Sequence, residues 1–342
     1  MQNYCTLFDS KYIDKGLALY YSLERNASEY MLYVLCMDEK TYQILEDLHL
    51  NNLRTVRLNE FETTELLKLK AERNRPEYCW TCTAASIEYM MQRFKLDNCT
   101  YIDTDLYFYS DPIVLMNEIK KENAQVGIME HRFAESDWKK EKYRRAGKYC
   151  VEYNYFDNSI NAQNVLKWWK EECFKWCYSR YEPADENGIE KYGDQKYLEQ
   201  FPIRFSNVHV FENLGAGVAP WNLKQYSLGK NTKDNNIYLV HKKEKTEAEL
   251  VFYHFQNVKY INKDFVNINS QCNDQEMKMK IYKPYLTEIE SIRKMLKERY
   301  GLVFSSKKSY SSNVVKAFIQ RNIMPYRLRA FGDIVNLKKL KD

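Results

Sequence analysis

The feature that most constrains this chain is the alternation in its first hundred residues, where short apolar runs are separated by longer amphipathic stretches, as in strands joined by crossover helices. Tyr4-Cys5-Thr6-Leu7-Phe8 reads as a first strand that stops at Asp9-Ser10, and residues 15–25 read as a helix. Residues 31–37 form a buried strand, 39–48 a helix that Asp38 can cap, and 53–58 a third strand. After a polar helical stretch at 62–72, the periodic segment 80–94 predicts a helix that runs into a fourth strand at 99–102. Four strands thus precede Asp103-Thr104-Asp105. In open α/β sheets ligands gather outside the carboxyl ends of the strands, and both Phe8-Asp9 and the Asp-x-Asp fall there.

The second half is more mixed. It predicts a strand at 125–129, a charged loop at 131–148, an extended run at 149–156 and an aromatic helix at 164–178. A loop at 183–188, a short helix opened by Gly193-Asp194-Gln195, strands at 208–211 and 250–255, and a linker at 229–236 follow. There is no internal repeat or low-complexity tract.

With 342 residues and 44% hydrophobic content the chain can bury a sizeable core. Its charge is unevenly placed. Residues 278–342 carry 16 Lys or Arg against 5 Asp or Glu, a net +11, which leaves about −6 for residues 1–277. This predicts a main domain over 1–277 and a basic, mainly helical extension over 278–342. No run approaches the roughly 18 apolar residues of a membrane span, and the first 30 residues lack a signal-like pattern, so the expected location is the cytoplasm. Nine cysteines, an odd number scattered through strand-like and helix-like segments, predict reduced thiols. Cys79-x2-Cys82 and Cys173-x3-Cys177 have spacings that a zinc site allows, but they sit in helical patterns rich in large side chains, which favours packing.

Asp103 and Asp105 are the sharpest chemical feature. Period-two alternation puts both carboxylates on one side of the chain at a strand end. Two such acids repel unless a cation lies between them, and Mg2+ or Mn2+ is typically held by one or two carboxylates plus phosphate oxygens. Solvated turn acids are the plain alternative. His254 follows four apolar or aromatic residues and so stands at another strand end, able to present a neutral imidazole to a metal or to pack with its ring satisfied.

Taken together, these residues resemble the GT-A superfamily of glycosyltransferases, within it a bacterial group distantly similar to glycosyltransferase family 8. Tyr101-Ile102-Asp103-Thr104-Asp105 is similar to the superfamily's metal motif, and the stretch 80–91 to its lead-in helix. Lys191-Tyr192-Gly193-Asp194-Gln195 is similar to the family's Asp-Gln segment, while the run from Gly215 to Asn222 and the segment around His254 look like further landmarks. The resemblance spans roughly residues 4–260.

It implies an α/β GT-A fold, a mixed and mainly parallel sheet with helices on both faces, and transfer of a sugar from a UDP-sugar with Mn2+ or Mg2+. The acceptor it implies is a glycan or lipid-linked glycan, in cell-surface polysaccharide synthesis, with retention favoured. His254 would complete the metal site with Asp103 and Asp105, and Thr104 would share their nucleotide-binding motif. Thr6, Phe8, Asp9 and Tyr12 lie where the family binds base and ribose, and an aromatic ring there can stack on a base. Phe8 can equally be core. Arg75 can neutralise a phosphate or sit as an exposed charge. Asp194 and Gln195 would lie nearest the reacting carbon, although Asp194 can also cap the helix after Gly193. Gly215 and Gly217 offer close backbone approach, and Trp221 with Asn222 a platform for a sugar face. Trp168, Trp169 and Trp176 read as packing.

One departure stands out. Where related sequences tend to place Asn in a Lys-Tyr-Asn-Val strand, this chain has Cys150, which cannot make the same hydrogen bonds and so points to a different donor choice. The tail interleaves Arg293, Lys294, Lys297, Arg299, Lys307, Lys308, Arg327, Arg329, Lys338 and Lys339 with apolar residues, which suits peripheral contact with an anionic membrane or a solvated helical extension. Nucleic acid is not expected, because the aromatics follow helical spacing. Two other functions stay open. A sugar-nucleotide pyrophosphorylase would also want an acidic metal site but usually opens with a Gly-rich basic loop, which Phe8-Asp9-Ser10-Lys11 is not; a non-catalytic glycan-binding protein on a transferase fold has only Cys150 in its favour.

Overall fold

A computed structural model describes residues 1–230, 236–304 and 333–340. Its central sheet has seven strands: β1 (Gln2–Phe8), β2 (Tyr30–Cys36), β3 (Leu53–Arg57), β4 (Asn98–Ile102) and, beyond the short strand β5 (Leu106–Phe108), β6 (Val126–Glu130), β7 (Tyr149–Asp157) and β8 (Val208–Val210). They lie in the order β3-β2-β1-β4-β7-β6-β8. Neighbours are parallel except around β7, which runs antiparallel to both β4 and β6. The fold is therefore the mixed, mainly parallel α/β sheet expected.

Helices cover both faces. Ile13–Asn26 and Glu39–Asp47 lie with the C-terminal helix Gln275–Tyr300 on one core, in which Leu17, Ile44, Tyr285 and Leu286 are buried. Arg75–Phe94 and Ile160–Lys175 lie on the other, with Ile87, Met90, Val165 and Trp169 buried. Trp169 is fully buried, as packing requires, and all nine cysteines are free thiols. Among the described residues, Cys79, Cys82, Cys173 and Cys177 form no metal-ligand group.

Local chemistry explains where the elements start. Asp38 does cap its helix, accepting from the Thr41 amide at 2.8 Å. The helix expected from residue 80 starts instead at Arg75, because Asn74 and Glu77 form a reciprocal capping box and Pro76 fits its first turn. The expected charged loop at 131–148 holds two short helices, Glu135–Trp138 and Glu141–Ala146. Smaller sheets follow the central one. Strands β9 (Tyr226–Leu228), β10 (Tyr238–His241) and β11 (Glu247–Glu249) form one, and β12 (Phe252–His254) pairs antiparallel with β5. A last sheet joins Lys259–Tyr260, Phe265–Asn267 and Ile334–Asn336.

The expected boundary at 277/278 falls inside the helix Gln275–Tyr300, whose Ile281, Tyr282, Ile289 and Leu296 belong to the same core as β1 and β12. Two of the tail's arginines turn to acids of the body. Arg293 pairs with Asp14 at 2.7 Å and Arg299 with Asp47 at 2.8 Å. Lys307, Lys308, Arg327 and Arg329 lie outside the described residues. No helix among the described residues is long and apolar enough to cross a membrane.

Candidate active site

Three strand ends bring the acids and His254 together. Asp103 and Asp105 follow β4, with Leu106 opening β5, and the pairing of His254 with Leu106 sets the imidazole beside them. His254 Nε2 lies 3.0 Å from Asp105 Oδ1 and 3.7 Å from Asp103 Oδ2. The ligand atoms of Asp103, Asp105 and His254 all lie within 4.8 Å of one another.

Behind them stands Glu152. Its Oε2 is 2.6 Å from His254 Nδ1, and the residue is fully buried. The structural cause is an irregularity in β7: Gly127 pairs with Tyr155 but Met129 pairs with Cys150, so extra β7 residues bulge away from β6 while Asp103 still donates its amide to the Glu152 carbonyl at 3.0 Å. Bulges of this kind re-aim side chains next to functional sites. A carboxylate on the far nitrogen fixes the ring orientation and leaves Nε2 facing Asp103 and Asp105, the usual arrangement behind a metal-binding histidine.

Lys15, from the first turn of Ile13–Asn26, donates to Asp105 Oδ2 at 3.1 Å. Burial would raise the Asp105 carboxyl, but Lys15 and His254 outweigh it and hold the group well below the usual carboxylate range. Burial likewise works against a charged His254, yet Asp105 and then Cys150 and Glu152 raise it well above its ordinary value. Asp103 moves the other way, to about 6, because burial and then Asp105 and Glu152 outweigh His254.

This donor set fits a divalent cation such as Mn2+ or Mg2+. Two carboxylates and an oriented imidazole converge, and Glu152 Oε1 is buried without a hydrogen-bond partner, so negative charge at the centre exceeds what the protein's own donors satisfy.

Asp194 lies close enough to Asp103 to feel its charge. Gly193, at φ +55° over the Trp80 ring, makes the turn that delivers it. Asp194 does not cap a helix, since the following 3-10 helix begins at Lys196 without a side-chain cap. Burial, with a smaller push from Asp103, raises its carboxyl to about 7, against the pull of the Thr83 hydroxyl. The folded protein thus holds a proton there that the unfolded chain releases near pH 4, so stability falls as pH rises between about 4 and 7, by on the order of 4 kcal/mol. Asp194→Asn is expected to lose this slope relative to wild type and to gain stability at pH 8; urea unfolding at pH 5 and pH 8 checks it, and equal slopes in the two proteins would rule it out. Gln195 donates to the Ala146 carbonyl at 2.6 Å, tying its loop to the helix Glu141–Ala146.

The other expected residues divide sharply. Thr6 and Thr104 touch at 3.1 Å, and Thr104 donates to the Leu7 carbonyl at 3.0 Å, so the pair ties β1 to the Asp-x-Asp. Asp9 is ion-paired with Arg75, which also lies 3.8 Å from Asp38, so the guanidinium is engaged by acids at the ends of β1 and β2. Tyr12 is exposed at 41% and open to a ligand. Phe8 is core: its ring lies against Gly16, where a Cβ would come within 2.3 Å, so it cannot stack on a base.

The expected sugar platform is buried as well. Trp221 donates Nε1–H to the His131 carbonyl at 2.8 Å and sets its ring edge-on to His254 at 5.3 Å. Asn222, fully buried, accepts from the Ala219 amide and donates to the Gly217 and His131 carbonyls. Gly215 is needed for backbone approach, but to Glu249, whose carbonyl oxygen would lie 1.7 Å from any Cβ. Gly217 is likewise closed in, by Met129 and Arg132. All four are buried rather than presented as a surface, and Trp221 packs against His254. Cys150 is buried beside His254 and Glu152, forming with them a second group of potential ligand atoms.

Lys15 and Glu152 escaped the sequence reading. Glu152 had a signal, an acid set between the apolar Val151 and the aromatic Tyr153 in mid-strand. Lys15 had none, since a lysine on an amphipathic helix looks solvated.

No protein-family model matches the chain. YfnD of Bacillus subtilis, an uncharacterized protein, is 30% identical over 293 residues, covering 84% of this chain and 88% of its own. The chain belongs to the family of YfnD. YfnF of the same organism, also uncharacterized, is 30% identical over 264 residues, 76% of this chain and 82% of its own. Among solved structures, the galactosyltransferase LgtC, in complex with donor and acceptor sugar analogues, aligns with TM-score 0.51 and 12% identity over 85% of this chain and 96% of its own. This YfnD relative therefore has the GT-A fold.

Proposed function

We propose that this chain is a metal-dependent glycosyltransferase that moves a sugar from a nucleotide-diphosphate donor, a UDP-sugar, to a glycan or lipid-linked glycan acceptor in cell-surface polysaccharide synthesis. The observation that carries this reading is the convergence of Asp103, Asp105 and His254 at the carboxyl ends of the sheet, with Glu152 orienting the histidine. The fold shared with a galactosyltransferase solved with donor and acceptor sugar analogues agrees with it.

Asp103, Asp105 and His254 would hold Mn2+ or Mg2+, which when bound neutralises charge developing on a departing diphosphate. The chain's own residues do the rest. Tyr12 offers an open aromatic face beside the buried Asp9, suited to a base and ribose. Thr6 and Thr104 keep the two strand ends in register, and Glu152 and Trp221 keep the His254 ring in place. Asp194, near Asp103, has its carboxyl raised to about 7 by burial and so can take or give a proton near neutrality. The retaining course that the resemblance to glycosyltransferase family 8 implies needs no such base and can rely on orientation and electrostatics.

Incubation with a panel of UDP-sugars is expected to release UDP in the presence of Mn2+ and not in EDTA, measured by a coupled UDP assay. Equal release in EDTA, or binding of no nucleotide sugar at all, would count against the proposal.

A further inference from the structure

Asp105 is held from two sides. His254 takes Oδ1 at 3.0 Å, and Lys15 takes Oδ2 at 3.1 Å. Lys15 is not a surface lysine that happens to reach an acid, because its side chain is only 18% exposed. The adjacent Asp14 is already committed to Arg293 at 2.7 Å. Among the described residues no other Lys or Arg forms an ion pair with Asp103 or Asp105.

The ammonium therefore stands at a carboxylate that a divalent cation needs. Two cations at one carboxylate repel. A lysine can resolve this conflict, since its four-carbon stem and three rotatable donors let the charge re-aim without backbone movement. Its Nζ also lies 4.7 Å from the ring of the exposed Tyr12, at the edge of the open end of β1.

We propose that Lys15 is a diphosphate-binding residue with two partners: Asp105 when cation and nucleotide are absent, and the phosphate oxygens of the donor once a divalent cation is held at Asp105. The proposal rests on the transferase reading above. A compact ammonium suits phosphate as a point charge, and a diphosphate brings several negative charges to the place where the ammonium has lost its acid. Lys15 thus opposes the cation when the nucleotide is absent and assists the pair when both are present.

Lys15→Met keeps the aliphatic stem and removes the charge. Titration calorimetry with MnCl2 alone, and with UDP at saturating Mn2+, separates the two roles. The variant is expected to bind Mn2+ alone about five- to tenfold more tightly and UDP about tenfold more weakly, the size of a typical coupling between sites. Lys15→Arg, which keeps the charge, should bind UDP within a few-fold of wild type. Lys15→Gln, also neutral, takes the place of the Met variant if circular dichroism shows that the latter does not fold. Weaker Mn2+ binding by the neutral variant would show that Lys15 merely props Asp105, and unchanged UDP affinity would show that it never meets the phosphates; either overturns the proposal alone. A wild-type protein that binds no Mn2+ overturns the metal-site reading with it.

Discussion

Asp105→Ala is expected to abolish Mn2+-dependent UDP binding, with a loss of at least about a hundredfold, because even partners one shell behind a metal are worth 10- to 100-fold. The substitution removes the carboxylate that both His254 and Lys15 contact, at 3.0 and 3.1 Å. Asp103 and His254 leave a thinner donor set, and the freed Lys15 ammonium would repel a cation. Calorimetry with Mn2+ and UDP measures the loss, and near-ultraviolet circular dichroism establishes that the fold survives. Wild-type affinity in this variant would remove the metal centre from its place in the proposed function.

The second large effect concerns stability. A chain ending at Met277 is expected not to fold, even though composition suggested that residues 1–277 form a domain of their own. Such a chain loses Ile281, Tyr282, Tyr285, Leu286, Ile289, Ile292 and Leu296, seven buried side chains. At about 1.5–3 kcal/mol each this is on the order of 10 kcal/mol or more, against a typical total stability of about 5–15 kcal/mol. The cut also strips the cover from the His254 strand: Tyr285 stacks on Phe255 with ring centroids 3.7 Å apart, and the Tyr282 hydroxyl meets that of Tyr253 at 2.7 Å. Expression of residues 1–277 beside the full chain, with far-ultraviolet circular dichroism and solubility as readouts, checks this. A soluble 1–277 protein with a cooperative melt would show that the helix is an appendage.

Why composition pointed to that boundary is clear from Arg293 and Arg299. Counting charges assigns both to a separate basic tail, yet Asp14 and Asp47 on distant segments pair with them. A count of charges sees the sign of a residue and not its partner. Phe8 and Trp221 show the same limit for aromatics. Placement beside a site is compatible with stacking on a ligand or with packing under it, and the buried environment of both rings selected packing.

What the sequence determined by itself is local or periodic. Apolar runs and amphipathic stretches specified the parallel β1 to β4 half, Asp38 marked a helix start, and the Asp-x-Asp marked its strand end, because backbone period and capping chemistry act within a few residues. Which distant side chains meet was set by the way the elements pack. The β5–β12 pairing brings His254 to Asp105 across 149 residues, the irregular β7 places Glu152 behind the ring, and the helix after β1 sends Lys15 to the same carboxylate. Those meetings depend on strand register and helix packing, which no spacing within the chain encodes.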